Sequence, residues 1–247
     1  MLDFSEKNIK CTFYQNILKK IAILQSNYIP WKGYFDLIAF VDEFIIYDDM
    51  QFTKNDWRNR NKIKNPSGVS WLTVPVLTKG KSLQKINETI INGPKWQNNH
   101  WKTLIMNYSK SCFFEEISHW LKPLYLENSY SFISVLNRTF IEAICSYLKI
   151  KTKISISSNY ELIGDKTVRI INLCKQSFAA EYVSGSAAKN YIDTAVFDSS
   201  GIKLSWFDYN SYKPYPQLWG EFIHEVSILD LLFNCGPETS KYMKYVN

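Results

Sequence analysis

Residues 21–49, IAILQSNYIPWKGYFDLIAFVDEFIIYDD, carry the strongest structural signal in the chain. They begin with the apolar run 21–24 and end with a second apolar run, 44–47. Between these runs Pro30 and Gly33 mark a loop, and apolar residues at 34–41 recur at helical spacing. A strand, a helix and a strand this close together predict two parallel strands joined by a right-handed crossover.

The rest of the chain repeats these strand and helix patterns. Further strands are predicted at 69–76, 153–157, 180–183 and 202–207, and the segment 57–64 pairs with 69–76 in a hairpin. Helices are predicted at 96–108, 113–126 with a break near Pro123, 132–148, 167–176 capped by Asp165 or Thr167, and 228–235 with a Ser227–Asp230 capping box. Residues 86–91 are predicted to be extended.

These patterns predict an α/β fold with a mostly parallel, Rossmann-like sheet and a helical insertion at about 95–149. Residues 1–20 are interpreted as an N-terminal extension, in which Phe13, Ile17 and Leu18 could line a short helix. Residues 21–247 are expected to form a single domain, since no linker, repeat or low-complexity tract interrupts them.

The amino-acid composition indicates the general class of protein and the kind of ligand it could bind. The 247 residues are 46% hydrophobic and 21% charged, which is ordinary for a soluble globular protein. A net charge of +6 suits an anionic small molecule, but it is spread along the chain rather than clustered as in a DNA-binding protein. Aromatic residues make up 16% of the chain. They are expected either to fill the core or to form the walls of a site for a ring-shaped ligand such as a sugar or base.

Cysteine usage and hydropathy predict a cytoplasmic location without membrane insertion. The five cysteines are scattered and odd in number, which favours buried thiols over a disulfide framework or a metal site; they are Cys11, Cys112, Cys145, Cys174 and Cys235. No apolar run approaches the ~20 residues of a membrane span. Lysines interrupt the N-terminal segment, so no signal peptide is expected.

The densest polar cluster is Trp57-Arg58-Asn59-Arg60-Asn61-Lys62. Guanidinium groups bind phosphate or carboxylate with two parallel hydrogen bonds, and Lys62 adds a point charge. Strand alternation would place Arg58, Arg60 and Lys62 on one face. The segment is interpreted as a nucleotide-diphosphate or phosphate site, and the alternative is a solvated basic edge strand.

Other candidate site residues follow predicted strands. Gln25, Asn27 and Tyr34 flank the first strand–helix turn, which aims side chains at a ligand in a parallel sheet. Asp48 and Asp49 end the second strand and could bind Mg²⁺, act as a base or pair with an arginine. Alternation sends them to opposite faces, so one of the two points into the site.

Two further motifs could supply chemistry. His100 shares a helical face with Trp96 and could act as a general base, or it could be a satisfied core histidine, as expected for His119 and His224. The run Ser184-Gly185-Ser186-Ala187-Ala188-Lys189 follows a strand, and its small residues allow close approach to an anion. It is not a Walker loop, because the glycine spacing differs.

Several blocks together resemble the WbqC-like family over about residues 21–240. They are QSNYIPWKGYF (25–35), DMQFTK (49–54), WRNRNKI (57–63), WLTVPV (71–76), Trp96 with His100 and Tyr108, VSGSAAKNY (183–191), YPQ (215–217) and SILDLLFN (227–234). The resemblance favours Asp49 over Asp48, since Asp49 begins a block, and it adds Gln51, Lys54 and Asn59 to the binding residues. The first loop is also similar to that of nucleotidylyltransferase-like folds, but Trp31-Lys32-Gly33-Tyr34 replaces their histidine signature, which leaves ATP use open.

The resemblance implies a bacterial protein of surface-polysaccharide (O-antigen, lipopolysaccharide) biosynthesis. The function expected from it is transfer of an acyl or aminoacyl group, such as glycyl, to the amine of a nucleotide-linked amino sugar. His100 or Asp49 would take the proton, and the donor would be an acyl-CoA, an aminoacyl-tRNA or an acyl-adenylate made with ATP and Mg²⁺. The alternatives are a nucleotidyl- or glycosyltransferase of the same pathway, and a non-catalytic sugar-nucleotide binding protein; a homodimer is compatible with either.

Overall fold

The computed structural model describes residues 18–190 and 192–247. The predicted short helix with Phe13 and Ile17, and Cys11, lie outside the described residues. The strands are β1 Lys20–Leu24, β2 Glu43–Ile46, β3 Arg60–Asn65, β4 Gly68–Thr73, β5 Lys153–Ile156, β6 Glu181–Gly185 and β7 Lys203–Phe207. The helices are α1 Lys32–Phe40, α2 Lys95–Tyr108, α3 Phe114–Leu126, α4 Ile133–Tyr147, α5 Lys166–Gln176, α6 Thr194–Ser200 and α7 Ile228–Cys235.

Five strands form one sheet in the order β5-β2-β1-β6-β7, and every pairing in it is parallel. Numbered by their succession along the chain within this sheet, the strands lie in the order 3-2-1-4-5. This is the Rossmann-like order, and the predicted mostly parallel α/β sheet is therefore confirmed. The order reverses between β1 and β6, so a crevice opens at their carboxyl ends.

Alternation along the strands divides the buried side chains between two layers. Ala22 and Phe44 face a large core that includes side chains from α1, α2, α3, α4 and α7 and from the β3–β4 hairpin. Ile21, Ile23 and Ile45 face a smaller core beneath α5 and α6. Strands buried on both faces read as continuous apolar runs, which is why residues 21–24 and 44–47 stood out in the sequence.

The antiparallel β3–β4 hairpin lies outside the main sheet and follows the predicted pairing. Lys62 is opposite Trp71 in its register. Strand β3 begins only at Arg60, so Arg58 precedes the strand and strand alternation does not govern its direction. The prediction that Arg58 shares a face with Arg60 and Lys62 therefore fails, because Arg58 turns toward the loop after β1 instead.

Other local predictions need correction. Helix α3 continues through Pro123, whose carbonyl oxygen accepts a hydrogen bond from the Glu127 N–H (2.9 Å), so no break occurs there. Residues 86–88 form a 3-10 turn rather than extended chain. Ser227 caps α7, but the Asp230 carboxylate accepts hydrogen bonds from tyrosine and glutamine side chains outside the helix instead of closing a capping box.

Among the described residues, no helix combines the length and apolar character that crossing a bilayer requires. Over the same residues, no three His, Cys, Asp or Glu side chains cluster closely enough to hold a metal ion. Cys145, Cys174 and Cys235 are buried free thiols, and Cys112 is an exposed one.

Candidate functional site

The candidate site is built on the loop that follows β1, at the edge where the strand order reverses. Asn61 on β3 donates its side-chain amide to the carbonyl oxygens of Tyr28 (3.1 Å) and Ile29 (2.9 Å). Ile29 has φ = 38°, a left-handed conformation that is costly for a β-branched residue. The hairpin therefore holds the loop in a strained shape.

Arg58 lies against this loop and links two of its side chains. Its guanidinium donates to Asn27 Oδ1 and to Gln25 Oε1, the latter at 3.2 Å. Asp56 lies 3.8 Å away and partly balances its charge. The sequence-predicted residues Gln25, Asn27 and Arg58 are thus brought together at the carboxyl end of β1.

Beneath the loop, a buried carboxylate anchors Ser26. Asp48 accepts the Ser26 backbone N–H (2.8 Å) and the Ser26 hydroxyl (2.7 Å). Burial raises the pKa of Asp48, although the two hydrogen bonds from Ser26 and the nearby charge of Arg58 oppose that change. Asn137 on α4 donates to Ser26 Oγ (3.0 Å) and to the Arg58 carbonyl oxygen (2.8 Å), so one helix supports both the loop and the arginine.

An open cavity of about 260 Å³ lies beside Arg58. We call it the aromatic cavity, and it is lined by Asn27, Pro30, Trp31, Trp57, Asn61 and Glu225. Trp31 folds over the start of α1, where a Cβ at Gly33 would lie 2.4 Å from the indole, so glycine is required there. Flat aromatic walls with polar groups at the rim suit a sugar or base ring.

Trp57, which lines the aromatic cavity, lies next to a second tryptophan and two cations of the hairpin. The rings of Trp57 and Trp71 lie 5.4 Å apart. The Arg60 guanidinium lies 4.1 Å from the Trp71 ring centre, and the Lys62 ammonium lies 5.4 Å from it and 6.0 Å from that of Trp57. Two of the predicted phosphate-binding cations therefore lie beside the cavity on an aromatic platform.

The glycine-containing run after β6 reaches the same edge of the sheet. Gly185 ends β6 and packs against the ring of Tyr209, which lies 5.6 Å from the ring of Trp31. Ser184 is buried, and the Lys189 ammonium lies 5.4 Å from the Trp206 ring centre. Of this run, only Gly185 comes near the aromatic cavity, through Tyr209.

Four other predicted site residues lie elsewhere. Asp49 accepts hydrogen bonds from Ser157 Oγ (2.5 Å) and Asn87 Nδ2 (3.2 Å), so its carboxylate turns away from Arg58 while that of Asp48 lies on the Arg58 side. The structure brings Asp48, not the favoured Asp49, to the loop. Of the remaining three, Gln51 donates a hydrogen bond to the Ser82 carbonyl oxygen (2.8 Å), and Lys54 is exposed. Asn59 is buried and donates to the Val74 carbonyl oxygen (2.8 Å).

His100 and Tyr34 are buried in the core, and neither lines the aromatic cavity. His100 Nε2 donates to the Thr73 carbonyl oxygen (3.1 Å), which leaves Nδ1 to accept the Tyr28 hydroxyl (2.8 Å). Burial lowers the pKa of His100 to about 4. Tyr34, only 2% exposed, donates to the Gln25 carbonyl oxygen (3.1 Å). Both hold the loop in place. The structure therefore does not place His100 as a general base, or Tyr34 as a wall, at the aromatic cavity.

Sequence reasoning missed Glu225 and the site role of Trp31. Glu225 precedes α7 and reaches the cavity because the Ile228 N–H bonds to the Pro30 carbonyl oxygen (2.9 Å) and the Ser227 N–H to that of Lys62 (2.8 Å). No local sequence pattern identifies Glu225 as a cavity residue, because its position depends on contacts between chain segments about 200 residues apart. Trp31 was not among the predicted site residues, yet it lines the aromatic cavity.

Comparison with known proteins identifies a family that covers the whole of this site. The WbqC-like protein family matches residues 25–242 of the chain. The sequence is also 58% identical to the uncharacterized protein Rv1507c of Mycobacterium tuberculosis over 228 residues, which span 92% of this chain and 99% of that protein. No solved structure matches the chain. This protein is a member of the WbqC-like family.

Proposed function

We propose that the protein binds a nucleotide-linked amino sugar and transfers an acyl or aminoacyl group, in the first instance glycyl, to the sugar amine. One observation carries the proposal. Arg58 is held by Gln25 and Asn27 at the reversal of strand order, beside a cavity walled by two tryptophans. Ligands of open parallel sheets bind at this point.

In this proposal the aromatic cavity binds a ring of the ligand, and the cations around it bind the diphosphate. At about 260 Å³ the cavity suits one ring of the ligand, and Trp31 and Trp57 supply its flat walls. The diphosphate would extend toward Arg58, Arg60 and Lys62, whose charges favour a phosphorylated ligand over a neutral sugar. The amine would lie at the rim near Glu225.

The proposed step uses that carboxylate as the proton acceptor. The amine nitrogen attacks the acyl carbonyl carbon, the C–N bond forms, and the C–S or C–O bond to the donor breaks. Glu225 takes the amine proton. A departing thiolate or alkoxide gains a proton from Glu225 or water, whereas an acyl-adenylate releases AMP, whose phosphate leaves as a stable anion. Glu225 replaces His100 and Asp49 in this role because it lines the cavity.

The order of the strands in the sheet supports one alternative function. The 3-2-1-4-5 succession is shared with nucleotide-binding folds, which supports nucleotidyl transfer as a second candidate. Release of pyrophosphate without an amide product would identify it, and ligand binding without turnover would identify a non-catalytic binding protein. For each of these we propose the cytoplasm as the location, since sugar nucleotides are made there.

The experiment supplies amino-sugar nucleotides together with glycyl-CoA, glycyl-tRNA, or glycine with ATP and Mg²⁺, and detects the amide by mass spectrometry. Trp57 and Trp71 form a matched pair, because they are 40% and 41% exposed and only Trp57 lines the cavity. Trp57→Ala should weaken sugar-nucleotide binding at least about tenfold, which is ~1.4 kcal/mol, whereas Trp71→Ala should cost less. Absence of an amide with every donor, or equal losses in both variants, would contradict the proposal.

A further inference from the structure

A second cavity, of about 380 Å³, opens on the opposite face of the sheet. We call it the α5 cavity, and its lining includes Gln25, Tyr47, Met50, Lys166, Arg169 and Tyr182. It lies at the carboxyl end of β1, beneath the first turn of α5, with Ile23 and Ile170 completing the apolar wall. Its volume falls in the range of small-molecule sites, roughly 300–1,000 Å³.

The chemistry of its lining differs from that of the aromatic cavity. Apolar side chains and two tyrosine rings form the walls, and Lys166 and Arg169 supply two positive charges from one turn of helix. Lys166 is exposed and Arg169 half-buried, so both charged ends can reach the opening. Flat walls take a base or ribose, and two cations at an opening take phosphate.

Gln25 connects the two cavities. Gln25 lines the α5 cavity, and its Oε1 accepts a hydrogen bond from Arg58, whose other partner, Asn27, lines the aromatic cavity. The loop after β1 therefore separates two ligand-sized spaces and contributes one polar side chain to each. Such an arrangement suits a reaction that joins two substrates.

We propose that the α5 cavity binds the nucleoside-phosphate portion of the acyl donor, the chemical group that coenzyme A, acyl-adenylates and the 3′ end of aminoacyl-tRNA share. The proposal rests on the proposed function, since it assigns the second substrate of that reaction. Arg169 and Lys166 bind the phosphate, the tyrosine rings flank the nucleoside, and the acyl group reaches the amine across the Gln25–Asn27 loop.

The test measures dissociation constants by calorimetry for adenosine 3′,5′-bisphosphate, AMP, inorganic phosphate and a UDP-linked amino sugar. Arg169→Gln combined with Lys166→Gln should weaken the adenosine phosphates at least tenfold and leave the sugar nucleotide unchanged. Lys175→Gln is the matched control, because Lys175 is an exposed cation of the same helix outside the cavity. The ratio between the bisphosphate and AMP separates a coenzyme A donor from an adenylate.

Trp57→Ala is the reciprocal variant and should weaken only the sugar nucleotide. Any of three results would overturn the second site. The first is unchanged adenosine-phosphate binding in the Arg169/Lys166 variant, and the second is binding of inorganic phosphate as tight as that of the nucleotides. The third is competition between the two ligand classes for the Trp57 site. If the adenosine phosphates bind as expected while no sugar nucleotide binds the wild-type protein, the α5 cavity stands and the proposed function fails.

Discussion

Ser26 directs both of its donor groups to one carboxylate: its backbone N–H donates to Asp48 Oδ1 at 2.8 Å and its hydroxyl to Asp48 Oδ2 at 2.7 Å. The second residue after β1 and the second residue after β2 are thereby joined below the candidate site. Both residues are buried, so neither oxygen has water as a substitute partner. The shape of the loop, and with it the positions of Gln25 and Asn27, depends on this contact.

Asp48→Asn should lower the free energy of unfolding by about 1–3 kcal/mol, because the amide sets an N–H donor against a donor of Ser26. Urea unfolding followed by circular dichroism measures the change. Ser26→Ala, measured alone and in combination, completes a double-mutant cycle, and a coupling energy near zero would mean that the contact is not the support we describe.

Arg58→Lys should weaken sugar-nucleotide binding by about 10- to 100-fold, since lysine keeps the charge but cannot bond Gln25 and Asn27 while presenting a fork of donors to phosphate. Calorimetry with a nucleoside-diphosphate sugar measures it. Arg138→Lys is the control, because Arg138 makes an exposed pair with Glu142 on α4. Equal affinities for wild type and Arg58→Lys would remove Arg58 from the phosphate site.

His100 should make the protein less stable in mild acid. Its pKa is lowered to about 4 in the folded state, against about 6.5 when unfolded. Its contribution is thus fully present above pH ~6.5 and is lost as pH falls toward ~4, a decrease of about 2 kcal/mol between pH ~7 and pH ~5.

Thermal unfolding of wild type and His100→Gln across this pH range measures the difference. Glutamine can keep one donor and one acceptor, so the variant should show a flatter pH dependence. It should also retain turnover at neutral pH, since His100 does not line the aromatic cavity. Loss of turnover in a folded, stable His100→Gln protein would restore the predicted general base.

Asn61→Leu should destabilise the protein by about 1–3 kcal/mol, because the carbonyl oxygens of Tyr28 and Ile29 lose their donor. Ile29 would then be free to leave its positive φ, and Trp31 would move with it. Ligand affinity should fall along with stability, as measured by unfolding and calorimetry on the same samples. Ser70→Ala, on the neighbouring strand of the hairpin, should change neither.

Sequence patterns predicted most of the regular elements, but they missed helix α6 and the 3-10 turn at 86–88. Residues 21–24 and 44–47 were readable as parallel strands, since a strand buried on both faces must be apolar throughout. Trp57, Arg58 and Lys62 were readable as a cationic, aromatic segment, and Gln25 and Asn27 as residues at a strand end. Each of these properties is local and depends on neighbours along the chain.

Which polar side chains face a cavity became known from the folded structure alone. His100 and Tyr34 satisfy their hydrogen bonds in the core, Asp48 rather than Asp49 supports the loop, and Glu225 reaches the aromatic cavity from the far end of the chain. The physical reason is that burial and hydrogen-bond partners arise from contacts between distant segments. These partners determine the chemistry of a side chain, and the periodicity of a sequence does not reveal which partners a side chain will have.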